Sequence, residues 1–553
     1  MSQPAARTAF DRATSLKRLA ADQYDVLVIG GGITGAGVAL DAAARGLRTA
    51  LVEKDDFASG TSSKSSKLIH GGLRYLQQKE YRLVYENLAE RQRLLENAPH
   101  LVSPLPFLIP LFGKDGAVNK AVAKAYRTAL WLYDLTGGVR IGRRHSRVTK
   151  EEVLEHFPTL RTDRLVAGFL YWDARADDAR LTLAVLRTAV LDHGAVAVNH
   201  APVTDLISED DTVTGARLAD GTQIRAAVVV NATGVWSDEI RAMAEGSDPD
   251  SIRPAKGVHI TVPRAKLPCD IACVVPVPKD RRSIFVVPWG DEVYLGTTDT
   301  DYDGPLDDPR CTEADVRYIV DAINTFITAP IEASDVVGTW AGLRPLVKET
   351  DDVRTADLSR RHKVMVSGGR LVTITGGKLT TYRKMAADTV DTVVDLLPNR
   401  APKSATKKLR LVGAVGHEAL TRDGAAARLG TDAATLDHLV HRYGTEARVI
   451  LAMIEADPDL GRPLVNGLPY LRAEAVFAAR YEMAMTVTDV LSRRTRGILL
   501  DRDGCAAAAD DVARLLAPEL GWTADEATNQ AAAFRAVADA ERQTATEVDL
   551  ELT

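Results

Sequence analysis

Along the chain the spacing of apolar positions changes repeatedly, and each change marks a region. Residues 26–29 (Val-Leu-Val-Ile) form an unbroken apolar run, as expected of a strand buried on both faces. Helical spacing follows at Val38, Ala39, Ala42 and Ala43 and stops at Gly46, and a second apolar run over 49–52 ends on Glu53. Helical spacing returns over 81–101, where Pro104, Pro106 and Pro110 then break it, and again over 122–135 and 181–191. In 122–135, Tyr126, Trp131 and Tyr133 read as core residues. The period then shortens. Runs at 203–207, 213–218 and 223–224, separated by Asp-rich and Asp220-Gly221 turn signals, predict a small antiparallel meander. It leads into a buried strand that ends at Asn231-Ala232-Thr233-Gly234. Further strands are expected at 258–262, 284–288, 293–295 and 371–375, the last meeting Gly376-Gly377 ahead of a helix that carries Ala386, Val390, Val393 and Val394. A linker with Pro398, Pro402 and several lysines precedes residues 411–553, where helix signals dominate. The longest of these predicts one amphipathic helix through Val476, Ala479, Met483, Val487 and Val490, with Met483 and Met485 as core or dimer-face residues.

Composition narrows the class. A chain of 553 residues is expected to hold about two to four domains. Its 69 basic and 75 acidic residues leave a net charge of −6, which argues against wholesale nucleic-acid binding. No apolar stretch is long enough to span a bilayer, and the first twenty residues lack the apolar core of a secretory signal. The four cysteines include no C-x-x-C, so neither a redox pair nor a zinc knuckle is expected, and a reducing cytoplasm fits. Residues 1–23 carry Arg7, Arg12, Lys17 and Arg18 among Phe10, Leu16 and Leu19. They read either as an amphipathic basic helix on a membrane or as a solvated tail, and the thin apolar face favours the tail.

Candidate chemistry starts at Gly30, Gly32 and Gly35, a G-x-G-x-x-G spacing placed between strand and helix. The glycines permit a tight turn and let a pyrophosphate approach helix-terminal N–H groups, while Glu53 sits where an acceptor for a ribose hydroxyl is needed. The Ser-, Thr- and Gly-rich stretch 55–76 reads as a loop that offers hydroxyls, Lys64 and Lys67, with His70, Arg74 and Tyr75 around Gly71-Gly72. The Ala232-Thr233-Gly234 strand end, following the meander, points to a flavin-type rather than a nicotinamide-type nucleotide fold. His259 on its own reads as a satisfied core histidine, and Arg344, followed by a proline, as a strand-end or turn residue. Asp299 and Asp301 read as turn formers, and no metal site is expected. Arg493, Arg494 and Arg496 read as charge complement at a helix C-terminus, with contact to anionic lipid as the alternative.

The segments GGGITGAGVALDAAARGL, TSSKSSKLIHGGLRYL, NATGVW, KGVHITVP, LGTTDTDY, AGLRPL and GGKLTTYRK together resemble the bacterial FAD-dependent glycerol-3-phosphate dehydrogenases, within the wider family of D-amino-acid and glycine oxidases. RYEMAMTVTDVLSRRTR resembles their closing helical domain. The fold this implies is α/β (α+β overall): a Rossmann-like FAD-binding domain over 24–400, interleaved with an antiparallel-sheet substrate cap (roughly 100–165 and 257–345), then an all-α domain over 411–553. The resemblance implies FAD contacts from Gly30, Gly32, Ile33, Thr34 and Gly35, and from Glu53, Lys54, Thr61, Ser62 and Ser65. It extends them to Lys67, Leu68, His70, Val203, Ala232 and Gly234, and to Gly377, Lys378, Leu379 and Thr380. Catalysis is implied to rest on His259 as general base with Lys378 second, on Arg74 and Arg344 as anion holders, and on Tyr75 as an orienting group. The implied reaction is oxidation of sn-glycerol 3-phosphate to dihydroxyacetone phosphate, with electrons passed to a quinone by a homodimer touching the inner face of the cell membrane. A dioxygen-using oxidase and a non-catalytic flavin-bound scaffold or sensor are the alternatives.

Overall fold

The computed structural model describes residues 10–77, 80–113, 120–277, 282–348 and 362–551. At its centre Gln23–Ile29 pairs in parallel with Thr49–Val52 on one side and Gln223–Asn231 on the other. Val196–Val198 and Leu371–Thr375 extend the parallel sheet outward, and Lys363–Ser367 closes one edge antiparallel. The central strands are apolar throughout because helices Ile33–Ala44, Asp178–Leu191 and Tyr382–Leu396 cover one face while the meander and Leu19 pack on the other. The meander Val203–Glu209, Thr212–Leu218 and Gln223–Asn231 runs straight into the core, its last strand crossing from antiparallel to parallel pairing.

A second, mixed sheet is built around Ile252–Pro263, which pairs along its length with Gly338–Val347 and also with Glu292–Gly296. Arg344 therefore lies inside a strand and not at its end. Its neighbour Pro345 faces Pro254 across the ladder, so neither proline displaces a donor its partner needs. Likewise the prolines that end helix Tyr81–Asn97 belong to a strand, Val102–Phe112, paired with Leu165–Ala176 along nearly its whole length. Pro104, Pro106 and Pro110 share one parity, so their missing N–H groups all fall on the edge turned away from that partner.

Residues 411–551 form helices joined by turns and loops, with one isolated bridge and no strand among the described residues. The long helix expected through Val490 is broken: Arg472–Glu482 ends at Met483, whose φ is +55°, and a π-helical segment Asp489–Arg494 follows after a turn. Met483 packs into the core of the parallel-sheet domain. Nor do the arginines form a surface patch. Arg494 and Arg496 are each 1% exposed, Arg494 donating to both oxygens of Asp56 (2.6 and 2.8 Å) and Arg496 reaching Asp178 at 3.3 Å. Their partners lie hundreds of residues away, which helix periodicity does not register. Asp56, His200 and Asp489 come within metal-ligand reach of one another, but Arg493 and Arg494 occupy the carboxylates.

The N-terminal segment is docked rather than frayed from residue 10 onward. Asp11 caps helix Arg12–Ala21, Phe10 stacks on Phe57, Leu19 is buried, and Arg12 donates to the carbonyls of Asn199 and His200. The aromatics of Lys120–Leu135 divide: Tyr133 is buried, Tyr126 half-buried and Trp131 exposed.

Candidate active site

The glycine turn is close-packed. A Cβ on Gly35 would sit 1.9 Å from the Gly30 carbonyl oxygen, and one on Gly30 (φ +110°) would sit 2.7 Å from the Ala232 carbonyl. Helix and two strands therefore meet at a separation only hydrogen permits. At the helix start the N–H of Ile33 donates to Ser62 Oγ at 2.8 Å. Glu53 accepts from the N–H of Gly31 (2.6 Å) and of Asp55 (3.0 Å), and burial raises its pKa. A cavity opens on this turn, lined by Gly30, Gly32, Ile33, Thr34, Glu53, Lys54, Thr61, Ser62, Ser65, Val203, Ala232, Gly234, Gly377, Lys378 and Leu379.

Other candidate residues support this wall without lining it. Gly35 packs under the turn, Leu68 is in the core, and the His70 N–H donates to Thr380 Oγ1 at 3.2 Å. Lys67 is buried and turned away, its Nζ 3.4 Å from both carboxylate oxygens of Asp178, with burial pushing its pKa down to about 8 against the pull of that carboxylate. Sequence reasoning passed over Trp236, Pro345 and Met385, which also line the cavity, because nothing local distinguishes them from core residues. The donor set fits FAD: a helix N-terminus with hydroxyl and glycine for the pyrophosphate, Glu53 for a ribose, and a buried Trp236 Nε1 with no partner among the described residues.

On the cap side, two glycines leave room for two of the candidate side chains. A Cβ on Gly257 would meet Arg344 Nη2 at 2.5 Å, and one on Gly296 would meet His259 Cδ2 at 2.3 Å. Arg344 donates to Asp299 Oδ1 (2.9 Å) and Thr297 Oγ1 (3.2 Å), so Asp299 is its counter-ion rather than a turn former. Asp301 similarly holds Arg253 at 2.7 Å. His259 is 2% exposed, lies flat on Trp340 (ring centroids 4.8 Å apart, planes 8° apart), and shares a 2.9 Å hydrogen bond between Nε2 and Ser66 Oγ. Burial, and then the charges of Lys67 and Arg344, hold its pKa well below the ordinary histidine value, so the imidazole is neutral at physiological pH. Lys378 Nζ stands 3.8 Å from the centroid of the Tyr75 ring. Arg74 belongs to helix Leu73–Gln77, but its side chain lies outside the described residues.

Fold and cradle together define a dinucleotide-binding oxidoreductase of the flavin type. Residues 25–383 match the family model "FAD dependent oxidoreductase", and 404–527 match "C-terminal domain of alpha-glycerophosphate oxidase". The chain is 42% identical to glycerol-3-phosphate dehydrogenase of Mycobacterium leprae over 96% of its own length and 90% of that protein. It is 37% identical to the mitochondrial glycerol-3-phosphate dehydrogenase of Rattus norvegicus, over 94% of this chain and 74% of that one. Among solved structures, glycerol-3-phosphate dehydrogenase from Bacillus halodurans complexed with FAD superposes with a TM-score of 0.77 at 32% identity, covering 96% of this chain and 97% of the other. The chain belongs to the FAD-dependent oxidoreductases and, within them, to the glycerol-3-phosphate dehydrogenase family.

Proposed function

We propose that this protein oxidises sn-glycerol 3-phosphate to dihydroxyacetone phosphate and delivers the electrons to a quinone. The observation that carries this reading is a neutral, buried imidazole beside the half-buried Arg344, in a chain similar over 96% of its length to a glycerol-3-phosphate dehydrogenase. Bound FAD supplies the acceptor for the hydride from C2. His259 takes the hydroxyl proton, since Arg344 stays protonated and cannot. Arg344, anchored by Asp299 and Thr297, binds the phosphate or the developing alkoxide. Lys378, at the start of the turn into helix Tyr382–Leu396, would offer positive charge to a reduced flavin held in this cavity. Anaerobic titration of the yellow protein with glycerol 3-phosphate should bleach the flavin, and ubiquinone or menaquinone analogues should restore it. Failure of any polyol phosphate to bleach it would leave the scaffold reading. The match of 404–527 to an oxidase domain favours dioxygen as the alternative acceptor, and stoichiometric peroxide in place of quinone reduction would establish it.

No helix among the described residues is long and apolar enough to cross a membrane. We propose peripheral contact through a surface where Tyr81, Tyr85, Trp131, Leu135 and Val139 are exposed among Arg82, Arg127, Arg140 and Arg143. Arg140 lies over the Tyr85 ring, tying two of these segments together. Amphipathic aromatics suit the headgroup level, and the arginines suit anionic lipid. Flotation with phosphatidylglycerol vesicles, lost in Trp131→Ser/Leu135→Ser, supports this. A concentration-dependent dimer broken by the same variant, without vesicle binding, would make the surface a contact between copies instead.

A further inference from the structure

The loop over residues 63–66, between strand Thr49–Val52 and the short strand Leu68–Ile69 that pairs with Leu165–Ala176, is held from several sides at once. Asp178 accepts from the N–H and Oγ of Ser65 (3.0 and 2.7 Å). Trp340 Nε1 donates to the Ser65 carbonyl (3.1 Å), and Tyr294 OH donates to the Ser66 carbonyl (2.8 Å). Arg496, from the C-terminal domain, donates to the Ser63 carbonyl and reaches the same Asp178. Ser66 therefore has a fixed backbone, and its hydroxyl meets His259 Nε2. The other ring nitrogen, Nδ1, is buried and has no hydrogen-bond partner among the described residues.

These contacts constrain the proton on the ring. If Ser66 donated to Nε2, the neutral imidazole would carry its proton on Nδ1, leaving a buried N–H with no acceptor. If Nε2–H donates to Ser66, only a lone pair on Nδ1 is left unmatched, and an under-satisfied acceptor is the less costly orphan. We propose that Ser66 is a positioning residue that fixes His259 in the Nε2–H tautomer and leaves Nδ1 as the nitrogen that takes the substrate's hydroxyl proton. The step balances. The C2–H bond breaks with its electron pair going to FAD, which is reduced by two electrons, and the O–H bond breaks with its proton going to Nδ1. C2 and its oxygen become a carbonyl, and the imidazolium keeps its Nε2–H on Ser66. Trp340, stacked on the ring, prevents the flip that would exchange the two nitrogens. This inference rests on the assignment of glycerol 3-phosphate as substrate.

Stopped-flow bleaching of FAD-loaded enzyme by glycerol 3-phosphate under anaerobic conditions tests it. Ser66→Ala is expected to slow bleaching about ten-fold or more, with FAD content and the half-saturating substrate concentration unchanged, because the ring then samples the wrong tautomer. Ser66→Thr, which keeps the hydroxyl, should restore the rate to within about three-fold. In a His259→Asn background Ser66→Ala should cause no further loss, whereas a merely structural serine would multiply the two losses. Wild-type bleaching in Ser66→Ala, or multiplicative losses, would overturn the proposal. Should Ser66→Ala fail to load FAD, ¹⁵N spectra of ring-labelled wild-type enzyme decide. With the His259 signal identified by its absence in His259→Asn, a proton found on Nδ1 overturns the assignment and one on Nε2 supports it. Absence of bleaching in the wild type itself would instead count against the substrate assignment.

Discussion

Replacing Asp56 should loosen the C-terminal domain from the nucleotide domain by a predictable amount. Asp56 is fully buried and accepts from Arg494 at 2.6 and 2.8 Å, from Arg493, and from Asn199 Nδ2 at 3.1 Å. Asp56→Asn preserves the shape but removes the charge that balances a guanidinium 1% exposed. Arg493 keeps a second partner in Asp489, 2.6 Å away, whereas Arg494 is left with only Glu482, 3.8 Å away and already paired with Arg180. Breaking a buried pair from one side costs about 3–5 kcal/mol, so the population with the C-terminal domain undocked should rise about two to three and a half decades. Cleavage by a protease acting in the linker near residues 398–410, under conditions where redocking outpaces cleavage, should accelerate by a similar factor. The companion variant Asp56→Leu/Arg494→Met removes both charges and should recover most of the resistance. Cleavage of FAD-loaded Asp56→Asn within about three-fold of wild type would refute the reasoning, since the arginine would then have found solvent or another partner at little cost.

Gly35→Ala should abolish FAD retention, read as loss of the yellow absorbance after gel filtration, because its Cβ would fall 1.9 Å from the Gly30 carbonyl oxygen. His259→Asn should keep the flavin but slow its reduction about two to four decades, and wild-type turnover would remove His259 from the mechanism. Arg344→Lys should weaken glycerol 3-phosphate far more than glycerol, so equal losses with both would argue against phosphate recognition there. Burial alone would raise the Glu474 pKa, yet His438 at 2.7 Å and Arg442 outweigh it and hold it at about 2. A carboxyl depressed on folding contributes stability above its unfolded pKa and loses it as pH falls toward its folded one. Thermal melts of the wild type should therefore soften between about pH 4.5 and 2 more steeply than those of Glu474→Gln.

The amino-acid sequence by itself determined the elements whose physics is local. The glycine fingerprint, the strand Thr49–Val52 and the meander feeding Gln223–Asn231 were legible because turn chemistry and apolar period are set by near neighbours. Gly30 and Gly35 could be read as indispensable before any contact was known, since the turn they form admits no other residue. The motifs around His259, Arg344 and Lys378 pointed to a flavin site through resemblance, while spacing alone left His259 an ordinary core histidine. Tertiary structure decided what depends on partners distant in the chain. The arginines after Val490 look like surface charge until Asp56 and Asp178, hundreds of residues earlier, are brought against them. Phe10 and Leu19 look too sparse to dock until Phe57 and the parallel sheet supply the opposite face. Ser66 carries no signal in a serine-rich loop, because its role comes from a ring 193 residues away that the second sheet delivers to its hydroxyl. Periodicity reports which side of an element is buried, whereas pairing of charges and protons is fixed only when the fold closes the distance between them.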